Sequence, residues 1–477
     1  MVNSFVATAQ CCLALSSLLT GKVSFPGTDT YDLSLASYFA AQEASTHPQC
    51  IVSPQTAAEV ASAVQLLTTG LNRKCKFAVR SGGHSSQPEA ANIQDGITID
   101  LRGLNSIDVN EEKTVVSVGV GNSWDLVYAK LDPMGLSVAG GRSAGVGVGG
   151  LSVGGGISYF STRYGWTVDT IINYEIVLAN GTIVNANERE NSDLLWALRG
   201  GGNSFGIVTR IDISAFQQGP FWGGIIYLPA SNVETHAREF VNINKADSYD
   251  PFSHIMLTWA YSKESGPLIL NFLEYTKEDV QSPEEFKALS ELPSLYSTMR
   301  TSNVSDFALE MKGSQAQIQR RLWATNTLVA TEETVKATYT RFNESLKSVQ
   351  DIEGLTWSYT LEPLPPAIYS RHADANPLGL GDRRTALFMG LFTAGWSQPA
   401  DDARVKSAVD SVMEAMEKDA KALGSWDPFI YYNYAGPSQD PVKSYGEKNV
   451  KRLRSIAKKV DPCQVFTKQV PGGFKLK

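Results

Sequence analysis

The stretch Phe77-Ala78-Val79-Arg80-Ser81-Gly82-Gly83-His84-Ser85-Ser86 decides the reading of this chain. Phe77 to Val79 form a short apolar run that reads as a buried strand. The paired glycines after it carry no Cβ, so their backbone N–H groups can approach a bound phosphate closely. A strand ending in such a loop suits a large anionic cofactor, and the single histidine beside it is a candidate for chemistry.

Two further stretches extend the pattern. From Gly140-Gly141-Arg142-Ser143-Ala144-Gly145-Val146-Gly147-Val148-Gly149-Gly150 to Gly154-Gly155-Gly156 the chain is dense in glycine. Gly145-x-Gly147-x-x-Gly150 meets the dinucleotide spacing, but a Rossmann site needs a buried strand before it and a helix after it. Here 139–144 is polar and glycine-rich and 151–157 is β-branched and glycine-rich, so an irregular loop laid along an extended cofactor is the better account. In the third stretch, 191–209, Ser192 is expected to cap a short helix that three glycines break before a strand begins at Ile207.

The 477 residues exceed a usual single domain, so two domains or one with a large insertion are expected. A formal net charge of −7 and no Lys/Arg-rich face argue against a nucleic-acid partner. No run approaches the length of a membrane span. A soluble protein with a small-molecule ligand is the expectation, and its oligomeric state is left open. Met1 to Thr20 holds an apolar stretch, Cys11 to Leu15, with no preceding Lys or Arg, so the n-region of a secretion signal is missing. The alternative is an amphipathic first helix with Leu15, Leu18 and Leu19 on one face, and an intracellular location is favoured over a secreted or vesicular one. The five cysteines contain no C-x-x-C pair, and no metal constellation exists. No Gly-x-Ser-x-Gly elbow joins a strand to a helix, which disfavours a serine hydrolase.

The elements expected are mixed. A helix opened by Ser53-Pro54 runs to about Leu67, strands cover Ile97–Leu101 and Val116–Val120, and a helix covers Trp124–Leu131. Asn180-Gly181 suits a type I′ hairpin. After Phe216, aromatic strands (Phe221–Tyr227, Ile255–Trp259, Leu268–Leu273, Leu322–Thr325, Ala386–Phe392) alternate with charged helical stretches at 233–244, 283–290, 332–348 and 403–423. The class is α+β: residues 1–215 (core about 45–215) bind the cofactor, 216–425 form an inserted substrate domain of antiparallel sheet backed by helices, and 426–477 return to the first domain.

The three loop stretches together resemble the berberine-bridge-enzyme-like FAD-linked oxidases of the vanillyl-alcohol-oxidase group, which carry a PCMH-type FAD-binding domain of two α/β subdomains. The resemblance implies FAD bound covalently through its 8α carbon to His84. It also implies cofactor contacts at Arg80, Ser81, Gly82, Gly83, Ser85, Ser86, Gly141, Ser143, Ala144, Gly145, Val146, Gly149, Gly150, Gly155, Gly206, Ile207, Val208 and Asn433. Many members carry a second, cysteinyl bond at the place of Ser143, where a hydroxyl is a poor substitute for a thiolate, so single attachment is expected. Val146 stands where a valine leaves room for oxygen beside the flavin. The closing segment Tyr431-Tyr432-Asn433-Tyr434 resembles the family's, and Tyr434 is the candidate base; its pKa must then be lowered from near 10 by a cation or a flavin-side hydrogen bond. His254 and His372 are the next candidates. One disulfide from Cys11 or Cys12 to Cys50 or Cys75 is implied, with at least one free thiol. The activity implied is an oxidase that passes a hydride to FAD and electrons to O2, giving H2O2. Its substrate is expected to be a secondary metabolite, with cyclisation possible afterwards. The alternatives are a carbohydrate oxidase and a redox-inactive flavoprotein scaffold or cyclase.

Overall fold

The structure is a computed structural model that describes residues 2–313 and 319–476. Its class is α+β, with two smaller sheets and a large antiparallel sheet backed by helices. Three sheets organise the chain. The first has four strands in the order Val23–Ser24, Cys50–Val52, Ile97–Asp100 and Phe77–Arg80, the last three mutually parallel. Its strands are buried on both faces, as parallel sheets require. Helix Ala57–Thr68 covers it with Val60, Ala63, Val64 and Leu67. That helix starts later than the Ser53-Pro54 expectation, because the Thr56 side chain accepts from the Glu59 N–H and caps it there.

The second sheet centres on the long strand Ile207–Gln217, which pairs antiparallel with Val115–Gly119 on one side and Ile171–Val177 on the other. The Trp124–Leu131 helix forms as expected. Three local expectations are corrected. Ser192 is the first helical residue rather than the cap, which is Asn191 in a left-handed conformation at φ 53°. The Asn180-Gly181 hairpin forms between Ile171–Val177 and Ile183–Asn187, but only Gly181 has positive φ (81°), so the turn is not type I′. A helix covers Val2–Leu18 with Leu15 and Leu19 buried, yet Leu18 is 49% exposed and lies off that face.

Two disulfides are present where one was expected: Cys11–Cys75 and Cys12–Cys50. Adjacent cysteines on the first helix reach different elements, one to the segment before the Phe77 strand and the other to the Cys50 strand. Cys463 is free and exposed.

The third sheet has nine antiparallel strands. Helices Val233–Ile243, Glu332–Ser345 and Asp402–Ala422 contribute Phe240, Val335, Phe342, Val405, Val409 and Met416 to one hydrophobic core with this sheet. The expected helix at 283–290 shrinks to Lys287–Ser290 after a short 3₁₀ turn. A strand not anticipated, Thr356–Leu364, lies between Ser253–Ser262 and Leu387–Trp396. The C-terminal helix Glu447–Val460 buries Leu453 and Ile456 in the separate core that holds the first two sheets.

Candidate active site

A cavity of about 800 Å³ runs between the glycine loops and the uncovered face of the third sheet. That is near the top of the range for ligand pockets, about 300–1,000 Å³. Ser81, Gly82, Gly83, His84, Ser85 and Ser86 line one part of it. Ser143, Val146, Gly149, Gly150, Gly206, Ile207 and Val208 line the neighbouring part, and Asn433 and Tyr434 close the wall from the C-terminal segment.

Backbone contact holds the loops together. A Cβ on Gly82 would come within 2.6 Å of the Gly147 Cα, and one on Gly147 within 2.3 Å of the Gly82 nitrogen. Glycine is needed here first for loop-on-loop packing. Ser81 Oγ ties the junction, donating to the Val120 carbonyl at 2.6 Å and accepting from the Gly149 N–H at 3.1 Å. Gly150 differs, because a Cβ there would meet nothing within 4 Å. No described protein atom demands glycine at that position, which lines the cavity. The buried Ser143 Oγ has no hydrogen-bond partner among the described residues.

His84 stacks on Phe39, with ring centroids 3.8 Å apart and planes 18° apart. Burial first, and then the nearby positive charges of Arg321 and Lys312, push its pKa from 6.5 down to about 4. The ring is therefore neutral at pH 7, with a nitrogen lone pair available to bond carbon. These features fit a flavin dinucleotide: two glycine loops for its extended body and a neutral histidine within the same cavity.

Five of the expected cofactor residues do not line the cavity: Arg80, Gly141, Ala144, Gly145 and Gly155. Arg80 is fully buried; its guanidinium donates to the Ser34 and Ser37 carbonyls and lies 3.7 Å over the Tyr38 ring, so it anchors the strand from behind. Gly141 makes room for Trp124, Gly155 for Tyr431, and the Gly145 N–H donates to Asp125. The Ala144 N–H donates to the Ala308 carbonyl.

At the sheet side of the cavity, Arg142 gathers a buried cluster that sequence reading missed. Its Nη2 donates to Tyr434 Oη at 2.5 Å and to Glu362 at 2.9 and 3.1 Å. Tyr434 donates its own proton to Glu362 Oε1 at 2.9 Å. Arg142 Nη1 faces His254 Nε2 at 2.9 Å and Met256 Sδ at 3.0 Å. Because Arg142 can only donate, His254 Nε2 accepts, and its Nδ1–H donates to Glu274 at 2.7 Å. His254 thus stands behind Arg142 rather than in the cavity wall, and burial holds its pKa well below the usual value. His372 lies against Gly165, outside the lining.

The expected cation beside Tyr434 is present, yet the direction of its shift is corrected. Burial outweighs Arg142, and Glu362 adds to it, so the phenol lies well above its ordinary value. The Tyr434 phenol therefore keeps its proton at neutral pH, directed at Glu362. Glu362 sits on the unanticipated Thr356–Leu364 strand, whose alternation of Trp357, Tyr359 and Leu361 with Ser358, Thr360 and Glu362 was the available signal.

Comparison with known proteins agrees with this geometry. Residues 48–187 match the family model described as FAD binding domain. A protein named FAD-dependent monooxygenase CTB5 from Cercospora beticola is 35% identical over 489 residues, covering 99% of this chain and 93% of that protein. Oligopeptidase PhomG' from Diaporthe leptostromiformis is 39% identical over 461 residues, which are 95% of this chain but 36% of that longer protein. Among solved structures, BBE-like 1 of Physcomitrella patens superposes with a TM-score of 0.77 at 19% identity, covering 98% of this chain and 99% of that one. The glucooligosaccharide oxidase of Acremonium strictum, described with a 6-S-cysteinyl, 8α-N1-histidyl FAD, gives 0.75 at 19%, covering 96% and 97%. The chain is an FAD-binding oxidoreductase. It belongs to the same family as the FAD-dependent Cercospora protein and has the PCMH-type fold of the berberine-bridge-like structure. Among the described residues no helix is long and apolar enough to cross a membrane.

Proposed function

We propose that the chain is an oxidase of small organic molecules that carries FAD bonded to His84 alone. Bound in the cavity, FAD supplies the hydride acceptor and the site at which O2 is reduced to H2O2. The chain's residues supply the rest. The neutral His84 ring offers the attaching nitrogen, and Ser143 offers no thiolate for a second bond. Tyr434 takes the proton from the substrate oxygen or nitrogen while passing its own to Glu362, as a hydride leaves the adjacent carbon. Arg142 donates to the phenol oxygen and holds the negative charge that develops there.

The observation that carries this reading is the Tyr434 hydroxyl bonded to both Arg142 and Glu362 in the cavity that His84 also lines. Val146 lines the same cavity and is the proposed point of oxygen access. The two disulfides support maturation in an oxidising compartment, against the intracellular expectation. Oxygen consumption and peroxide release, measured together under labelled O2 with a substrate that bleaches the flavin, test the activity. One peroxide per O2 with no label in the organic product is expected. Label in the product would instead assign the monooxygenase chemistry for which the Cercospora relative is named.

A further inference from the structure

The uncovered face of the third sheet is divided into two lanes. Pairing registers set Met256 opposite Phe272, Thr258 between Leu270 and Thr360, and Ala260 between Leu268 and Ser358. Alternation turns these residues to the cavity, which all of them line. The side formed by Gly266–Tyr275 is apolar. Ile225, Met256 and Phe272, with Tyr227, Leu270 and Met311 packed on them, make a small apolar cluster that touches the first main core through Met311. Met256, Leu270 and Phe272 line the cavity, and an apolar patch lining a cavity is what a ligand covers.

The other side carries the hydroxyls of Thr356–Leu364 and of Thr393 on Leu387–Trp396, with Leu391 the apolar residue among them, opposite Thr360. Thr360 Oγ1 bonds Thr258 Oγ1 at 2.8 Å, and Ser358 Oγ bonds Thr393 Oγ1 at 2.5 Å. Thr356, Ser358 and Thr360 form a file along one strand that ends at Glu362, beside Tyr434. Hydroxyls both donate and accept, so such a file matches phenol or carbonyl oxygens equally. A sugar, with hydroxyls around its whole rim, would leave some of them against the apolar lane without partners, at a cost of about 1–3 kcal/mol each.

We propose that the substrate is a flat, largely apolar fused-ring molecule with its oxygens along one long edge. That edge runs on the Thr356–Thr360 file with its leading oxygen at Tyr434, and the opposite edge lies on Leu268, Leu270 and Phe272. This rests on the oxidase reading above and adds the class and orientation of its substrate.

The test uses the holoenzyme and calorimetric titration with 2,7-dihydroxynaphthalene, whose oxygens share one long side, with its 2,6-isomer, whose oxygens do not, and with xylobiose. The 2,7-isomer is expected to bind most tightly, by about fivefold over the 2,6-isomer, the equivalent of one neutral hydrogen bond. In Thr360→Val, and independently in the less buried Ser358→Ala, the preference between isomers should shrink while the flavin spectrum is unchanged. Equal binding of the isomers overturns the one-edge claim, and tighter xylobiose binding overturns the substrate class. Flavin content measured on the same samples separates these failures from failure of the flavoprotein reading, since calorimetry reports binding whether or not the protein is coloured.

Discussion

Arg142 Nη2 lies 2.5 Å from the Tyr434 hydroxyl oxygen, whose proton is already directed at Glu362 2.9 Å away. The three groups form one hydrogen-bonded cluster, which in the proposed mechanism passes a proton from Tyr434 to Glu362. Tyr434→Phe keeps the ring and removes the hydroxyl; it should lower the rate of flavin reduction by about 10²- to 10⁴-fold, the usual contribution of a general acid–base group. Glu362→Gln should fall in the same range, and the double variant should be no slower than the slower single one, because parts of one unit are not additive. Stopped-flow reduction under anaerobic conditions reads this. A double variant whose losses multiply would show that the two groups act separately.

Val146 bears on the other half-reaction. Its side chain lines the cavity, so Val146→Leu should slow reoxidation of the reduced flavin in air and leave anaerobic reduction unchanged. Equal slowing of both would mark a distorted site, and slowing of neither would leave Val146 as a packing residue.

The pH dependence of the flavin-free protein follows from His84. Its folded pKa is lowered from 6.5 to about 4, so on acidification the unfolded chain takes up this proton first. The stability it contributes is complete above pH 6.5 and is lost as pH falls from 6.5 toward about 4. Denaturant titrations of flavin-free wild type and His84→Ala should diverge in that window. Parallel curves would mean that His84 is not held neutral by burial.

Cys11–Cys75 and Cys12–Cys50 fasten the first helix to the cofactor domain. Non-reducing peptide mapping should return both pairs and leave Cys463 free. Removing the Cys12 bridge with Cys12→Ala and Cys50→Ala together should cost about 2–4 kcal/mol in unfolding free energy.

The sequence exposed the cofactor loops because their chemistry is local. A strand, two glycines and a histidine lie within ten positions, and all of Ser81 to Ser86 reach the cavity. Arg80 misled, since a charge beside a phosphate loop reads as a ligand while its actual partners, Ser34 and Ser37, lie far away in sequence. The Arg142 cluster was hidden for the same reason. Arg142 meets Glu362 across 220 positions and Tyr434 across 292. The strand carrying Glu362 contains Pro363, which argues against a sheet interior. The structure admits it because Ser253–Ser262 pairs only through Leu361, leaving Pro363 with a neighbour on one side alone. Thr356, Ser358 and Thr360 on that strand face the cavity, a placement that polarity alone does not reveal.

In the proposed enzyme a single covalent bond joins FAD to His84. It is tested most directly by acid precipitation of the purified protein followed by peptide mass spectrometry. A yellow precipitate and one flavin-bearing peptide, which contains His84, are expected, with that peptide absent in His84→Ala. Colour released entirely by acid, or a flavin adduct on the peptide containing Ser143, would contradict it.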